Sequence, residues 1–165
     1  MGAGKTTLGR ELAKVMNFEF IDLDHYIQAR YLKSVNQIFE EKGEGGFRQI
    51  ERSLLHETCE FEDAIISTGG GTPCFFDNME YMNSKGRTVY LKGTAEALAK
   101  RLNTSKEKRP LIRDKNEEEL YEFVKESLDK REPFYSQAQI VFDTSELITR
   151  DEVGKFVERL IEKLG

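Results

Sequence analysis

The chain has 165 residues, of which 38% are hydrophobic, and this size and composition fit one soluble domain with a single core. It has no apolar run near the ~20 residues of a membrane span and no signal-peptide pattern at its start, which argues against a membrane protein. The net charge of -5, from 25 Lys and Arg against 30 Asp and Glu, argues against a nucleic-acid partner, because phosphate-backbone binders are usually basic.

Strand-like and helix-like segments alternate along the chain, a pattern that predicts an α/β protein with crossover helices on a parallel sheet. The first segment is a helix with an apolar stripe of Leu8, Leu12 and Val15. In chain order there follow a strand over 18–21, helices over 26–30, 35–42 and 44–60, strands over 64–67 and 88–91, a helix over 94–102, a helix over 117–131 that Pro133 ends, a strand over 140–142 and a helix over 150–164.

Residues 103–116 form a long charged stretch with Pro110 near its middle. A loop of this length in a small domain is either functional or disordered. As a mobile loop beside phosphates, it would bring in an arginine to neutralise the charge that develops during phosphoryl transfer. The two cysteines, Cys59 and Cys74, have neither metal-ligand nor disulfide-framework spacing, which predicts reduced thiols in a cytoplasmic protein.

A phosphate-binding pattern opens the chain as Met1-Gly-Ala-Gly-Lys-Thr-Thr7, followed directly by the first helix. Glycines before a Lys-Thr pair at a helix start let backbone N–H groups point into one small volume. Lys5 would then reach the β- and γ-phosphates of a nucleotide, and the Thr6 hydroxyl would bind Mg²⁺. The alternative is a glycine-rich N-terminus that arises by chance.

Two carboxylates, Asp22 and Asp24, follow the second predicted segment, at the strand end where ligands of open α/β sheets bind. If both lie on the strand, residues two apart share a face, so one carboxylate would accept a proton from a substrate hydroxyl while the other orients Mg²⁺ through water. The alternative is a helix N-cap, where Asp is common.

Arg48 and Glu51 are three residues apart and would lie on one face of a helix. A guanidinium held by a carboxylate is suited to bind a substrate carboxylate through two parallel hydrogen bonds. The alternative is an exposed helical ion pair.

Three glycines, Gly69 to Gly71, end the strand over 64–67 and favour close approach of the backbone to a ligand, with a tight turn as the alternative. Arg131 lies late in its helix, where a cation also suits the helix dipole.

Together and in this order, these motifs resemble the shikimate kinase family, and the resemblance runs from residue 1 to about residue 144. It is carried by Gly-Ala-Gly-Lys-Thr, Asp-Leu-Asp, Gly-Glu with Phe-Arg and Glu51, Gly-Gly-Gly, Arg-Pro-Leu, and Arg131 with Tyr135. The fold implied is the three-layer P-loop kinase fold in a single domain over 1–165, with a substrate-binding region at about 23–60 and a lid at about 103–116. The family's parallel sheet has five strands.

The resemblance implies ATP-dependent phosphorylation of shikimate, with Mg²⁺ as cofactor, no nucleic-acid or membrane partner, and a monomer. It assigns catalysis to Lys5, Asp24 and Arg109, and shikimate binding to Asp24, Arg48, Gly70 and Arg131. The two arginines would bind the shikimate carboxylate, Thr6 the metal, and Asp22 the same metal through water. The implied ATP-binding residues are Gly2, Ala3, Gly4, Lys5, Thr6, Thr7, Arg101 near the adenine, and Arg109 from the lid.

Two alternatives stay open at this point: another small-molecule P-loop kinase, such as a gluconate or nucleotide kinase, and a nucleotide-binding homologue without turnover. The chain also departs from the family pattern, because the first central strand and the first P-loop glycine are absent. We therefore expect that Met1 is an internal methionine taken as the start or that the copy is truncated. Restoring about ten residues, enough for a typical strand and the loop's start, is expected to complete the sheet.

Overall fold

The computed structural model describes residues 2–104, 112, 114–145 and 152–165. Its elements are α1 (Lys5–Met16), β1 (Glu19–Asp22), α2 (Leu23–Tyr31), α3 (Val35–Thr58), β2 (Ala64–Ser67), a short 3-10 helix (Thr72–Cys74), α4 (Asn78–Lys85), β3 (Val89–Lys92), α5 (Ala95–Asn103), α6 (Glu117–Tyr135), β4 (Ile140–Asp143) and α7 (Val153–Leu164). All four described strands pair in parallel, β1 with β2 and β3 with β4, which confirms the predicted α/β class with parallel strands.

The chain divides into two compact units. One unit is Thr6–Thr88, and its core is built by seven buried side chains of α2 and α3: Leu23, Ile27, Ile38, Phe47, Ile50, Leu54 and Leu55. Fully burying a side chain of this size contributes roughly 1.5–3 kcal/mol, so this cluster fixes α3 firmly against α2. Parallel pairing sets Asp22 opposite Ser67, so the chain leaves β1 and β2 at the same end of this sheet.

The other unit joins the residues up to Lys5 with Val89–Gly165. Its core packs α5 against α6 through Ala3, Leu98, Ala99, Leu102, Ile112, Leu120 and Val124. Here β3 and β4 pair so that Lys92 lies opposite Asp143. The expectation of a single domain over 1–165 stays a prediction.

Two capping boxes set the first turns of the two longest described helices. Ser34 accepts from the Gln37 N–H at 3.2 Å, and the Gln37 side chain accepts from the Ser34 N–H at 2.8 Å. Asn116 and Glu119 exchange the same pair of hydrogen bonds at the start of α6. Such caps are worth about 1 kcal/mol each, and the second one fixes the start of the helix that carries Arg131.

The two helices expected over 35–42 and 44–60 are confirmed as the two segments of α3, which meet at a kink at Gly43, whose φ of 68° a glycine adopts without strain. The prediction that Pro133 ends its helix was wrong, because α6 continues to Tyr135. Proline removes one N–H donor, yet the Ser136 N–H still donates to the Glu132 carbonyl at 2.9 Å and closes the next turn.

Most of the predicted lid lies outside the described residues, Arg109 among them. Within the described ranges, no helix is both long enough and apolar enough to cross a membrane.

Candidate functional site

The glycine-rich start of the chain has left-handed backbone at two of its glycines. Gly2 and Gly4 have φ of 70° and 84°, in the left-handed region that favours glycine. Helix α1 begins directly afterwards at Lys5, with Thr6 and Thr7 exposed in its first turn. Backbone N–H groups in a helix's first turn have no partner within the helix, and together with the helix dipole they favour an anion.

Arg101 binds the glycine-rich loop at Gly2, which belongs to the same compact unit as Arg101. Its guanidinium donates to the Gly2 carbonyl at 3.4 Å, to the Ser145 carbonyl at 3.1 Å and to the Thr144 carbonyl. Burial lowers the pKa of Arg101, while nearby Asp143 acts in the opposite sense. The sequence assigned Arg101 only to the adenine and gave no sign of these backbone contacts.

The structure corrects the argument that placed Asp22 and Asp24 on one strand face. β1 ends at Asp22, and Asp24 already lies in the first turn of α2. Asp22 is the N-cap of that helix and accepts from the His25 N–H at 3.3 Å, which is the alternative raised from the sequence. Asp24 is half-buried and faces the glycine turn, because a Cβ placed on Gly69 would lie 3.2 Å from its Oδ1.

Arg48 is largely buried within this unit, with 13% of its side chain exposed. Its Nη1 donates to Glu51 Oε2 at 2.7 Å, and its Nη2 lies 3.6 Å from Glu44 Oε1. Its guanidinium carbon also lies 4.1 Å from the ring centre of Phe75 and 5.2 Å from that of Phe47. The predicted Arg48–Glu51 pair is therefore present, and it is buried rather than an exposed helical ion pair.

The side chain of Glu51 is 1% exposed and has a second partner that the sequence did not indicate. Thr72 donates its hydroxyl to Glu51 Oε1 at 2.7 Å, and Asn78 donates its side-chain N–H to the Thr72 carbonyl at 2.8 Å. Thr72 and Asn78 are themselves fully buried. A buried chain of hydrogen bonds thus runs from α4 through the 3-10 helix to Arg48.

The three glycines let the backbone approach these side chains. Gly71 has φ of −88°, which other residues also adopt, so a special turn does not explain it. A Cβ on Gly71 would instead lie 2.6 Å from Arg48 Nη2 and 2.9 Å from Nη1, closer than atoms can pack. At Gly71 the group that comes close to the backbone is therefore the Arg48 guanidinium, and the close approach of a ligand stays a prediction.

One donor of Arg48 is left over. Its Nε is buried and has no hydrogen-bond partner among the described residues. Buried N–H groups without partners are uncommon in folded proteins and call for an explanation, such as a ligand or ion that completes the site. A planar acceptor such as a carboxylate matches the guanidinium geometry.

The predicted second cation, Arg131, is half-buried in α6, in the other unit. Its neighbour Glu132 binds this part of α6 to β3, since Tyr90 donates to Glu132 Oε2 and Lys92 to Oε1, each at 2.7 Å. Burial, and then the bond to Glu132, raise the pKa of the Tyr90 hydroxyl well above its usual range. Burial acts to raise the pKa of Glu132, but the bonds from Lys92 and Tyr90 outweigh it and lower that pKa.

The Mg²⁺ predicted from the sequence would have few ligands from the protein. Among the residues that the structure describes, no three His, Cys, Asp or Glu side chains form a group that could hold a metal. Mg²⁺ in phosphoryl-transfer sites needs only one or two protein oxygens beside phosphates and water. The exposed Thr6 hydroxyl and the Asp22 carboxylate are hard oxygen ligands of the kind it prefers, so these residues fit Mg²⁺.

Comparisons with known proteins agree with one another. The family model "Shikimate kinase" matches residues 1–162. A shikimate kinase of Parabacteroides distasonis is 56% identical over 164 residues, which cover 99% of this chain and 95% of that protein. The crystal structure of a Bacteroides thetaiotaomicron shikimate kinase has a TM-score of 0.95 at 51% identity, covering 99% of this chain and 93% of its own.

A third likeness includes a ligand. The structure of an Acinetobacter baumannii shikimate kinase in complex with shikimate has a TM-score of 0.83 at 33% identity and covers 99% of this chain and 89% of its own. These likenesses confirm the predicted P-loop kinase fold.

Proposed function

The chain belongs to the shikimate kinase family, and on that premise we propose that it transfers the γ-phosphate of ATP to a hydroxyl of shikimate, giving shikimate 3-phosphate. One observation carries this proposal. A buried arginine with an unpaired Nε donor adjoins the glycine turn that the Asp24 carboxylate also faces. This pairing suits a substrate that has both a carboxylate and a reactive hydroxyl.

Arg48 binds the shikimate carboxylate in this proposal. Glu51 and three aromatic rings, those of Phe39, Phe47 and Phe75, restrict the guanidinium, so little conformational entropy is lost when the ligand binds. Arg131 is the second carboxylate ligand by the family's motif. Gly70, between two glycines that contact site side chains, binds shikimate through its backbone.

Asp24 is the group that accepts the proton. As the shikimate hydroxyl oxygen bonds to the γ-phosphorus, its proton passes to the Asp24 carboxylate, and the bond from phosphorus to the β–γ bridging oxygen breaks to release ADP. The half-buried position of Asp24 in the first turn of α2 holds the carboxylate on a rigid element.

Lys5 and the N–H groups around it bind the phosphates. Gly2 and Gly4 have left-handed backbone, which only glycine adopts readily, and in this proposal the N–H groups of the loop bind the phosphates while Lys5 compensates the charge on the β- and γ-phosphates. Thr6 and, through water, Asp22 would hold Mg²⁺, which when bound neutralises charge on the transferred phosphate. The proposed ATP-binding set is Gly2, Ala3, Gly4, Lys5, Thr6, Thr7, Arg101 and Arg109.

The test is an acceptor panel with the full chain. ADP release is followed in a coupled assay with ATP and Mg²⁺, offering shikimate, gluconate or a nucleoside monophosphate as acceptor. We expect turnover with shikimate at least about 100-fold above the other two. A nucleoside monophosphate leaves Arg48 without a carboxylate, and gluconate offers its carboxylate on a flexible open chain that must be ordered before a hydroxyl can reach Asp24. Turnover with gluconate or a nucleotide alone, or nucleotide binding without turnover, would support the alternatives and contradict the proposal.

A further inference from the structure

We propose that Thr72 is a positioning residue for shikimate binding, acting through Glu51 on Arg48. The inference rests on the proposed function and adds to it a residue that contributes to substrate affinity without being assigned to contact shikimate. It is carried by one chain of contacts: the Thr72 hydroxyl donates to Glu51 Oε1 at 2.7 Å, and Arg48 Nη1 donates to the other oxygen, Oε2, at 2.7 Å.

The Thr72 hydroxyl is needed because Glu51 is buried. Its side chain is 1% exposed, so water cannot replace a lost hydrogen bond, and a buried carboxylate without partners is strongly disfavoured. With both oxygens held, the carboxylate has one orientation. Without the hydroxyl, Oε1 has lost its partner and only the bond from Arg48 to Oε2 orients the carboxylate, so the carboxylate and the Arg48 guanidinium would shift together.

Arg48 tolerates little displacement. Its Nη atoms lie against the Gly71 backbone, where even a Cβ would come within 2.6 Å, and its guanidinium faces Phe75 at 4.1 Å. A shift of well under 1 Å would change both contacts. Two-pronged binding of a carboxylate depends on just this orientation, so misplacement weakens affinity even though the charge is kept.

Thr72 itself is held from two sides. Asn78 donates to its carbonyl at 2.8 Å, and its own N–H donates to the Gly69 carbonyl at 3.2 Å. A Cβ on Gly69 would lie 3.2 Å from Thr72 Oγ1 and equally close to Asp24 Oδ1, so both side chains lie close to the Gly69 backbone. The β-branched side chain has few χ1 rotamers, which keeps the hydroxyl on Glu51.

The experiment compares kinetic constants of Thr72→Val, Thr72→Ala and Thr72→Ser with those of the unsubstituted full chain. Valine keeps the shape and removes the hydroxyl, while alanine and serine both remove the methyl and differ from each other only in the hydroxyl. Thr58→Val is the matched control, since Thr58 is equally buried in the same unit and donates at 3.0 Å to the Leu55 carbonyl, away from Arg48. Circular dichroism confirms that each variant is folded.

We expect Thr72→Val and Thr72→Ala to raise the KM for shikimate about tenfold, with kcat and the KM for ATP changed less than about twofold, because ground-state and transition-state binding fall together. Thr72→Ser and Thr58→Val should stay within about threefold of the unsubstituted chain. If Thr72→Val does not fold, the alanine and serine pair decides alone.

Three outcomes would overturn the inference. They are an unchanged KM for shikimate in both variants without the hydroxyl, an equal rise in Thr58→Val, and a loss confined to kcat. Failure of the proposed function is a separate result, since the unsubstituted chain would then not phosphorylate shikimate, and both proposals would fall.

Discussion

Arg48 has two acidic neighbours of very different exposure, so their ion pairs with Arg48 should contribute unequally to the stability of the fold. Glu51 is 1% exposed at 2.7 Å from Nη1, whereas Glu44 is 62% exposed at 3.6 Å from Nη2. Removing one partner of a buried pair leaves an uncompensated charge, but an exposed pair is worth little in water. Sequence spacing alone treats both as helical ion pairs, and burial distinguishes them.

Neutralising these two residues should therefore affect stability unequally. We expect Glu51→Gln to lower the free energy of unfolding by about 3 kcal/mol and Glu44→Gln by less than about 0.5 kcal/mol. Urea unfolding followed by circular dichroism measures both, with Glu44→Gln as the control for charge removal. Equal losses in the two variants would show that the Arg48–Glu51 pair stabilises the fold no more than the exposed Arg48–Glu44 pair does.

Gly71→Ala tests whether the guanidinium must lie against the backbone. The φ of −88° suits alanine, so the backbone is not strained, but the new Cβ displaces Arg48 Nη2. We expect the KM for shikimate to rise at least about tenfold in a variant that circular dichroism shows to be folded. Gly45→Ala is the control, because its Cβ would meet nothing within 4 Å, and a KM effect of similar size there would count against this explanation.

Asp24→Asn tests the proposed proton acceptor. The amide is nearly isosteric with the carboxylate but is not a base, so kcat should fall by roughly 100-fold or more. The affinity for ATP should stay within about twofold of the unsubstituted chain. A near-normal kcat with shikimate would remove Asp24 from the mechanism.

At the scale of elements, the sequence predicted the features that depend on residues close together in the chain. β2 was found because four buried-type residues lead into glycines, and the Arg48–Glu51 pair because three-residue spacing places both on one helix face. α4 was missed because it carries no apolar stripe, and only Asn78 and Met79 of it are buried. The bond between Thr72 and Glu51 joins residues 21 apart, which local pattern does not reveal.

Helix α6 illustrates how an element positions a predicted ligand. Its last turns carry Arg131 and are held to β3 by the bond from Tyr90 to Glu132. We expect Tyr90→Phe to lower the free energy of unfolding by about 1 kcal/mol and to raise the KM for shikimate. Tyr121→Phe is the matched control, since its hydroxyl makes an exposed 3.3 Å bond to Glu96 in the same unit. Equal effects of the two substitutions would mean that the β3 contact does not position Arg131.

At the scale of the whole molecule, a chain of net charge -5 binds two anionic substrates in this proposal. The global field does not favour anions, so affinity must come from a few placed cations and from N–H groups at a helix start. Stability of the whole chain then depends on occupancy, because a ligand that binds only the folded state raises its free energy of unfolding.

Each substrate alone should therefore raise the melting temperature. At about 100 times its dissociation constant a ligand adds about 2.7 kcal/mol, or roughly 5–10 °C for a chain of this length. The chain has no tryptophan, so unfolding is best followed by the helical circular dichroism signal. Arg48→Ala is the discriminating variant, because it should lose the shift with shikimate and keep the shift with ATP and Mg²⁺. A shikimate shift that survives in Arg48→Ala would show that the substrate carboxylate binds elsewhere, and loss of both shifts would show that the substitution damages the fold rather than one site.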